Sequence, residues 1–175
     1  MRVSVQIDGN KSLTWDIGSE QIAHLVANLE VNNLPEATMT SILEALSQHP
    51  SMAVRERVAQ RSNLLNSKTL DRLAKDIEPL VLREIATSPS LSTEQLLYIM
   101  TRSTECAVAI ARNLQEYDGI NRSTILKELL KQTEPEVISA LLSNNPLSKT
   151  AIKTLMNHDD PSIRYEASNA LDRAD

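Results

Sequence analysis

The stretch LSTEQLLYI, Leu91 to Ile99, has an apolar pattern that recurs at two other places in the chain, with the apolar residues at matching offsets. The earlier copy is LNSKTLDRL, Leu65 to Leu73, and the later copy is LSKTAIKTL, Leu147 to Leu155. Apolar residues spaced three and four apart are typical of an amphipathic helix that buries one face. The recurrence of this helix indicates that the chain is built from repeated modules.

Each copy forms the first half of a two-helix unit. The first helix, A, carries apolar residues at i, i+3 and i+4, and a second apolar pattern, B, follows a short polar turn. The A sets are Leu43/Leu46, Leu70/Leu73/Ala74, Leu96/Ile99/Met100, Leu126/Leu129/Leu130 and Ile152/Leu155/Met156. The B sets are Val54/Val58/Ala59, Val81/Ile85/Ala86, Cys106/Ile110/Ala111, Val137/Leu141/Leu142 and Ile163/Ala167/Ser168.

The spacing of these units is nearly constant. We call the first residue of each B set the B anchor, and successive anchors are 27, 25, 31 and 26 residues apart. A period in the twenties with two short helices per unit predicts a mainly α fold, an α-solenoid of about five helical pairs. A single unit cannot bury its own apolar stripe, so stacking must bury it, at roughly 1.5–3 kcal/mol for each Leu or Ile.

The N-terminal segment has a different pattern. Apolar residues alternate with polar ones over residues 3–7 and 13–17, on either side of Asp8-Gly9-Asn10, which predicts a β-hairpin. A helix with the stripe Ile22, Leu25, Val26 and Leu29 follows it. We therefore expect residues 1–33 to be a hairpin and helix that cap the repeat array of residues 34–175, within one structural unit.

Composition narrows the functional classes. The net charge of −5 disfavours nonspecific binding to nucleic acid or anionic membranes. A single cysteine, Cys106, excludes an internal disulfide and a multi-cysteine cluster. We expect no membrane-spanning helix, because no run of about eighteen apolar residues occurs. The N-terminus lacks the pattern of a signal peptide, so we expect a cytoplasmic protein.

The sequence carries no recognisable catalytic arrangement. It has three glycines and neither a nucleophile elbow nor a phosphate-binding loop. The run His158-Asp159-Asp160 has no further metal-ligand pattern beside it. Cys106 occupies a B anchor, where a buried apolar role is expected. We therefore predict that the protein is not an enzyme and that it has no cofactor and no metal site.

The last unit carries a family resemblance. The stretch from Asn144 to Leu171 resembles the leucine-rich repeat variant family, a bacterial relative of HEAT and armadillo repeats. The matching residues are Leu147, Ile152, Leu155, Asp160-Pro161, Ile163-Arg164, Ala167 and Asn169. The resemblance covers roughly residues 34–175, and it implies a right-handed solenoid that serves as a binding surface. The cysteine cluster of one branch of that family is absent from this chain.

Two groups of B-helix residues are candidates for function. Arg55 and Arg164 directly follow B anchors, and the resemblance implies structural pairing with turn carboxylates, Asp159 or Asp160 in the case of Arg164. Positions two and six residues after the anchors lie opposite the buried stripe, on the face that solenoids commonly use for binding. The candidate residues on this face are Gln60, Arg83, Thr87, Arg112, Ser139, Ser143, Tyr165 and Asn169.

Two further features leave alternatives open. The inter-helix turns hold carboxylates, among them Asp76, Glu105 and Asp160, which form either an acidic ridge or caps at helix N-termini. The stretch of residues 114–123 lengthens one repeat, and its Tyr117 and Asp118 are candidates for a functional loop. Neutral drift in a surface loop explains that insertion equally well.

The leading hypothesis is a non-catalytic scaffold or adaptor that binds another protein on the solenoid surface. The alternative is a HEAT-like protein that holds nucleic acid in its concave groove, which the net charge and the mixed polarity of the face disfavour. Homo-oligomerisation is compatible with either hypothesis.

Overall fold

The computed structural model describes residues 2–7, 11–16, 18–28, 35–144 and 146–173. Two strands, β1 (Arg2–Ile7) and β2 (Lys11–Asp16), precede the helices. The helices are α1 (Ser19–Ala27), α2 (Glu36–Leu46), α3 (Met52–Ala59), α4 (Ser67–Leu73), α5 (Pro79–Ile85), α6 (Thr93–Met100), α7 (Thr104–Arg112), α8 (Gly119–Leu129), α9 (Pro135–Asn144), α10 (Lys149–Leu155) and α11 (Pro161–Arg173). The described chain is therefore mainly α-helical, as predicted.

The helices form two compact units, Met1–Leu73 and Ala74–Asp175. In the first unit β1 and β2 pair antiparallel, with Val3 opposite Trp15 and Ile7 opposite Lys11. The predicted turn at residues 8–10 lies outside the described residues. Helix α1 packs on α3, and α2 packs on α3 as well.

The apolar stripe predicted for α1 is partly wrong. Ile22 and Val26 are buried, but Leu25 is 54% exposed and Ala23 is buried instead. Ala23 lies one residue after Ile22, so the buried face of α1 is turned slightly away from Leu25. Leu29, the last residue of the predicted stripe, lies outside the described residues.

The second unit is a two-layer stack. The B helices α5, α7, α9 and α11 pack side by side in chain order. The A helices α6 and α8 also pack against each other, and α6, α8 and α10 each pack against the B helix that follows. Each pair of A and B helices in this unit thus packs against the pairs next to it in sequence, which is the helical-repeat arrangement that the periodicity predicted.

The buried stripes of this stack follow the predicted repeat with one shift. The four B anchors, Val81, Cys106, Val137 and Ile163, are each at most 1% exposed. In α8 the fully buried residues are Ile125 and Leu129, while the predicted Leu126 is half-buried. Ile125 and Leu129 are four residues apart and share one face, so either register fits the apolar run from Ile125 to Leu126.

Short-range signals set the starts of the helices. Pro79, Pro135 and Pro161 each stand at the first position of their helix, where the missing N–H removes no helical hydrogen bond. Elsewhere a serine hydroxyl caps the helix: Ser103 accepts a hydrogen bond from the backbone N–H of Cys106, and Ser148 accepts one from Ala151. These local signals fix where α5, α7, α9, α10 and α11 begin.

Candidate functional site

A groove runs across the B helices of the second unit. It encloses about 460 Å³ and touches the last residue of α7, one face of α9 and one residue of α11. The lining residues are Arg112, Pro135, Glu136, Ser139, Ala140, Ser143, Asn144 and Glu166. The groove therefore brings together three of the predicted candidates, Arg112, Ser139 and Ser143.

Helix geometry places these side chains together. Ser139 and Ser143 lie two and six residues after the anchor Val137, and Arg112 lies six residues after Cys106. At about 100° per residue these positions point away from the buried anchors. The groove is thus the outer surface of the same helices whose inner surface forms the core.

Small side chains open the recess. Ala140, between the two serines on α9, leaves room that a larger residue would fill, and the half-buried Ser139 adds only a hydroxyl group. The amide nitrogen of Asn144 donates to the carbonyl of Ala140 at 2.8 Å, which ties the end of α9 to its own backbone. The result is a polar recess with rigid helical walls.

The charges of the groove are uncompensated. Arg112 and Glu136 are exposed and Glu166 is half-buried. Within the described residues, none of these three side chains forms an ion pair or a side-chain hydrogen bond. Arg112 ends α7 and Glu136 lies in the first turn of α9, positions that the helix dipoles favour for these signs. The three charges are therefore free to meet a ligand.

The remaining candidates on the B face lie outside the groove. On α5, Arg83 pairs with Glu84 at 2.5 Å, and the Thr87 hydroxyl donates to the Glu84 carbonyl at 2.8 Å. Gln60 belongs to the first unit, where its amide oxygen accepts a hydrogen bond from Arg57. On α11, Tyr165 is 70% exposed beside Glu166, and Asn169 is half-buried.

The sequence prediction placed Glu136 among the turn carboxylates of the possible acidic ridge, and it did not include Glu166. Glu136 is one residue before its anchor and Glu166 is three residues after its anchor. These positions lie at about 260° and 300° on a helix whose outward direction is near 240°. The helical period therefore places both carboxylates near the outward face, although the prediction of that face used only the positions two and six residues after the anchors.

Arg55 and Arg164 both have structural partners, and those of Arg164 differ from the predicted carboxylates. The Nη1 atom of Arg164 donates to the carbonyls of His158 and Asp159, both at 2.8 Å. Arg55 makes the equivalent bonds to the carbonyls of His49 and Pro50, both at 3.0 Å. The prediction that Arg164 pairs with a turn carboxylate is wrong, because its guanidinium reaches the main chain of the turn.

In each of these two turns, a histidine ring accepts a hydrogen bond from the backbone of the turn. His158 Nδ1 accepts a hydrogen bond from the backbone N–H of Asp160 at 3.0 Å. His49 Nδ1 accepts the equivalent bond from Ser51 at 3.1 Å. Histidine at anchor minus five and arginine at anchor plus one thus form a repeated turn motif, so His158 acts here as a turn residue.

The insertion is packed into the fold. Tyr117 is 1% exposed, and its hydroxyl donates to the carbonyl of Ala86 at 2.5 Å. This burial raises the pKa of Tyr117. Asp118 caps α8 by accepting hydrogen bonds from the N–H groups of Ile120 and Asn121. The structure therefore gives Tyr117 a core position in place of the predicted surface role.

The turn carboxylates behave as caps. Hydrogen bonds from the side chain and backbone of Ser162 hold the pKa of Asp160 below its ordinary value. The pKa of Glu105 is lowered by its own backbone N–H and then by Ser103. Asp76 accepts a hydrogen bond from the N–H of Glu78 at 3.0 Å. These bonds favour the capping interpretation over an acidic ridge.

The structure also bears on a reactive thiol, a metal site and a membrane-spanning helix. Cys106 is fully buried at its anchor, and burial raises the pKa of its thiol, as a packing role requires. No group of three or more His, Cys, Asp or Glu side chains that could hold a metal occurs among the described residues. Across the same residues, each helix is too short or too polar to traverse a lipid bilayer.

A second recess, of about 480 Å³, lies in the first unit beside α2. Its walls are Glu36, Met39, Thr40, Asn63, Leu64, Leu65 and Asn66. Its lining carries a single formal charge, that of Glu36, compared with three in the groove of the second unit. The groove of the second unit is therefore the stronger candidate.

No family model matches the chain, and no curated protein matches it. Among solved structures, the chain is similar to a designed armadillo repeat protein in complex with the peptide (KR)4, with a TM-score of 0.42 and 16% identity over 89% of this chain and 91% of that one. It is also similar to a computationally designed armadillo repeat protein for modular peptide recognition, with a TM-score of 0.38 and 16% identity over 89% and 91%. These likenesses are too distant to assign a family, so the leucine-rich repeat variant name stays an expectation.

Proposed function

We propose that the protein is a non-catalytic binding module that holds a segment of a partner protein in the groove formed by α7, α9 and α11. The observation that carries the proposal is the set of uncompensated charges, Arg112, Glu136 and Glu166, around a recess with small polar walls. Charged groups without partners inside a protein are available for pairing across an interface.

The helical stack supports this proposal. A solenoid presents rigid, adjacent helix faces. When a peptide binds to them, only the peptide loses conformational freedom. The described contacts hold Arg112, Ser139 and Glu166 on three helices that pack in sequence. Pre-organisation of this kind lowers the entropic cost of binding an extended segment.

The finer assignment belongs to the same proposal. We propose that the chain is a right-handed HEAT-like array of the leucine-rich repeat variant type in a bacterial, cytoplasmic protein. The burial of the residues that carry the resemblance supports the repeat part of this assignment. Ile152, Leu155, Ile163 and Ala167 form one hydrophobic cluster with partly buried Leu147.

The test is selection of a random peptide library displayed on phage against the intact protein. Each enriched peptide is then synthesised, and its affinity is measured by fluorescence anisotropy for the wild-type and for Ser143→Trp, which fills the groove. We expect affinity to fall about tenfold, or about 1.4 kcal/mol. Lys127→Trp, at an exposed position on α8 outside the groove, is the matched control and should bind like the wild-type.

Circular dichroism must show that both variants are folded. The proposal fails if selection enriches no peptide, or if every enriched peptide binds Ser143→Trp as tightly as it binds the wild-type.

A further inference from the structure

We infer that the groove selects an extended peptide segment with opposite charges in a set order, an acidic side chain facing Arg112 and basic side chains facing Glu136 and Glu166. This inference rests on the proposed function, because it names the kind of segment that the groove would hold. It commits to a segment of a partner protein and not to nucleic acid, whose phosphates would all meet the two carboxylates with the same sign.

The two signs lie on different helices. The cation is on α7, while the carboxylates are on α9 and α11, and these three helices pack side by side in that order. A segment that crosses the groove from α7 therefore meets positive charge first and negative charge afterwards. A ligand with one sign of charge would gain at one wall and be repelled at the other.

The positions two residues after the anchors on α5 and α7 do not offer such a pair of charges. On α5 the guanidinium of Arg83 is neutralised by the adjacent Glu84 at 2.5 Å. On α7 Val108, two residues after the anchor, is uncharged. The groove differs from these two positions because its lining presents charges of both signs, which electrostatic complementarity to a bound segment requires.

The helix spacing predicts the spacing of the ligand charges. Packed helices lie about 8–10 Å apart, so the path from α7 to α11 covers about 16–20 Å. An extended chain rises about 3.3 Å per residue, so about five or six residues span this path. We therefore expect the acidic residue of the ligand to lie about five or six residues from the basic residue that faces Glu166.

Arg112 and Glu136 are exposed and Glu166 is half-buried, so the main effects of these charges are selection and association rate. Screening by salt should weaken the binding, because exposed pairs lose their attraction as the Debye length shortens to about 3 Å near 1 M. The measurable consequence is a preference among peptides that are otherwise alike.

The experiment uses the library-enriched peptides whose affinity Ser143→Trp lowers about tenfold. We expect these peptides to carry an acidic and a basic residue at the spacing given above. The affinity of such a peptide should fall about tenfold for Arg112→Glu and for Glu166→Lys. Lys127→Glu on α8 and Glu94→Lys on α6, both exposed and outside the groove, reverse the same charges and should leave the affinity unchanged.

Charge exchange makes the test specific. A synthetic copy of the peptide with its acidic residue replaced by lysine should bind Arg112→Glu about tenfold more tightly than it binds the wild-type. If groove-dependent peptides lack the opposite charges, or ignore both reversals, this inference is overturned while the proposed function stands. If no groove-dependent peptide exists, the proposed function fails first and the inference falls with it.

Discussion

The inner and outer faces of the B helices in the second unit obey different rules. On the inner face the anchors are Val81, Cys106, Val137 and Ile163, all small or branched and all buried. On the outer face, the equivalent position two residues later holds Arg83, Val108, Ser139 and Tyr165. The anchors of the inner face are apolar in all four repeats, whereas the outer position holds a different type of side chain in each repeat.

This difference separates stability from recognition on a single helix. An inner residue is constrained by the neighbours on which it packs, because interiors are close-packed and tolerate little change in volume. An outer residue contacts water, so its identity can follow a ligand. The comparison predicts that inner substitutions change the free energy of unfolding, while substitutions in the groove change affinity.

The largest expected effect is on the inner face of α7. Ile110→Ala removes a fully buried side chain and should lower the free energy of unfolding by about 2–5 kcal/mol. Val108→Ala, two residues away on the outer face, is half-buried and should cost less than about 1 kcal/mol. Urea unfolding followed by circular dichroism measures both. Equal losses would mean that the two faces are not distinct.

An intermediate effect is expected where the insertion enters the core. Tyr117→Phe keeps the ring but leaves the buried carbonyl of Ala86 without its hydroxyl donor, so it should cost about 1–3 kcal/mol. Tyr98→Phe removes a hydroxyl from a ring that is 41% exposed and stacks on Arg102, and it should leave unfolding unchanged. If the two substitutions cost the same, Tyr117 would belong with the surface residues.

The smallest effect is expected at a turn and depends on pH. Because the pKa of Asp160 is held below its ordinary value of 3.8, its ionised form stabilises the folded state. That contribution is complete above the ordinary carboxyl pKa and is lost as pH falls through the lower folded value. Asp160→Asn should therefore be less stable than the wild-type at neutral pH, and the two should converge as the pH falls through the lowered pKa of Asp160.

Thermal unfolding followed by circular dichroism from neutral pH to about pH 2 measures this convergence. Asp159→Asn is the control, because among the described residues the Asp159 carboxylate neither accepts a hydrogen bond nor forms an ion pair. A constant gap between Asp160→Asn and the wild-type at every pH would contradict a role for the ionised carboxylate.

The repeat architecture could be predicted because it rests on local periodicity. Every B anchor is buried as the 3.6-residue period requires, and Pro79 and Pro135 begin their helices two residues before the anchors. Register within an apolar run is less certain, as Ile125 and Leu126 show, because adjacent apolar residues fit two helix faces equally well.

The details that failed depend on contacts between distant residues. The hydrogen bond from Tyr117 spans thirty-one positions, to Ala86, and no local pattern indicates it. Arg164 could reach either carboxylates or carbonyls in the same turn, and only side-chain geometry decides between them. The groove needed three helices to be side by side before Arg112 and Glu166 could share a surface.

The two turns held by a histidine and an arginine keep their hydrogen bonds although their sequences differ. Their bonds end on main-chain atoms, so they do not depend on which side chains follow His49 or His158. The proline stands at different places in the two turns, directly after His49 and three residues after His158, yet the bonds are the same. The histidine and the arginine therefore set the shape of these two turns, and the place of the proline can change without altering the hydrogen bonds.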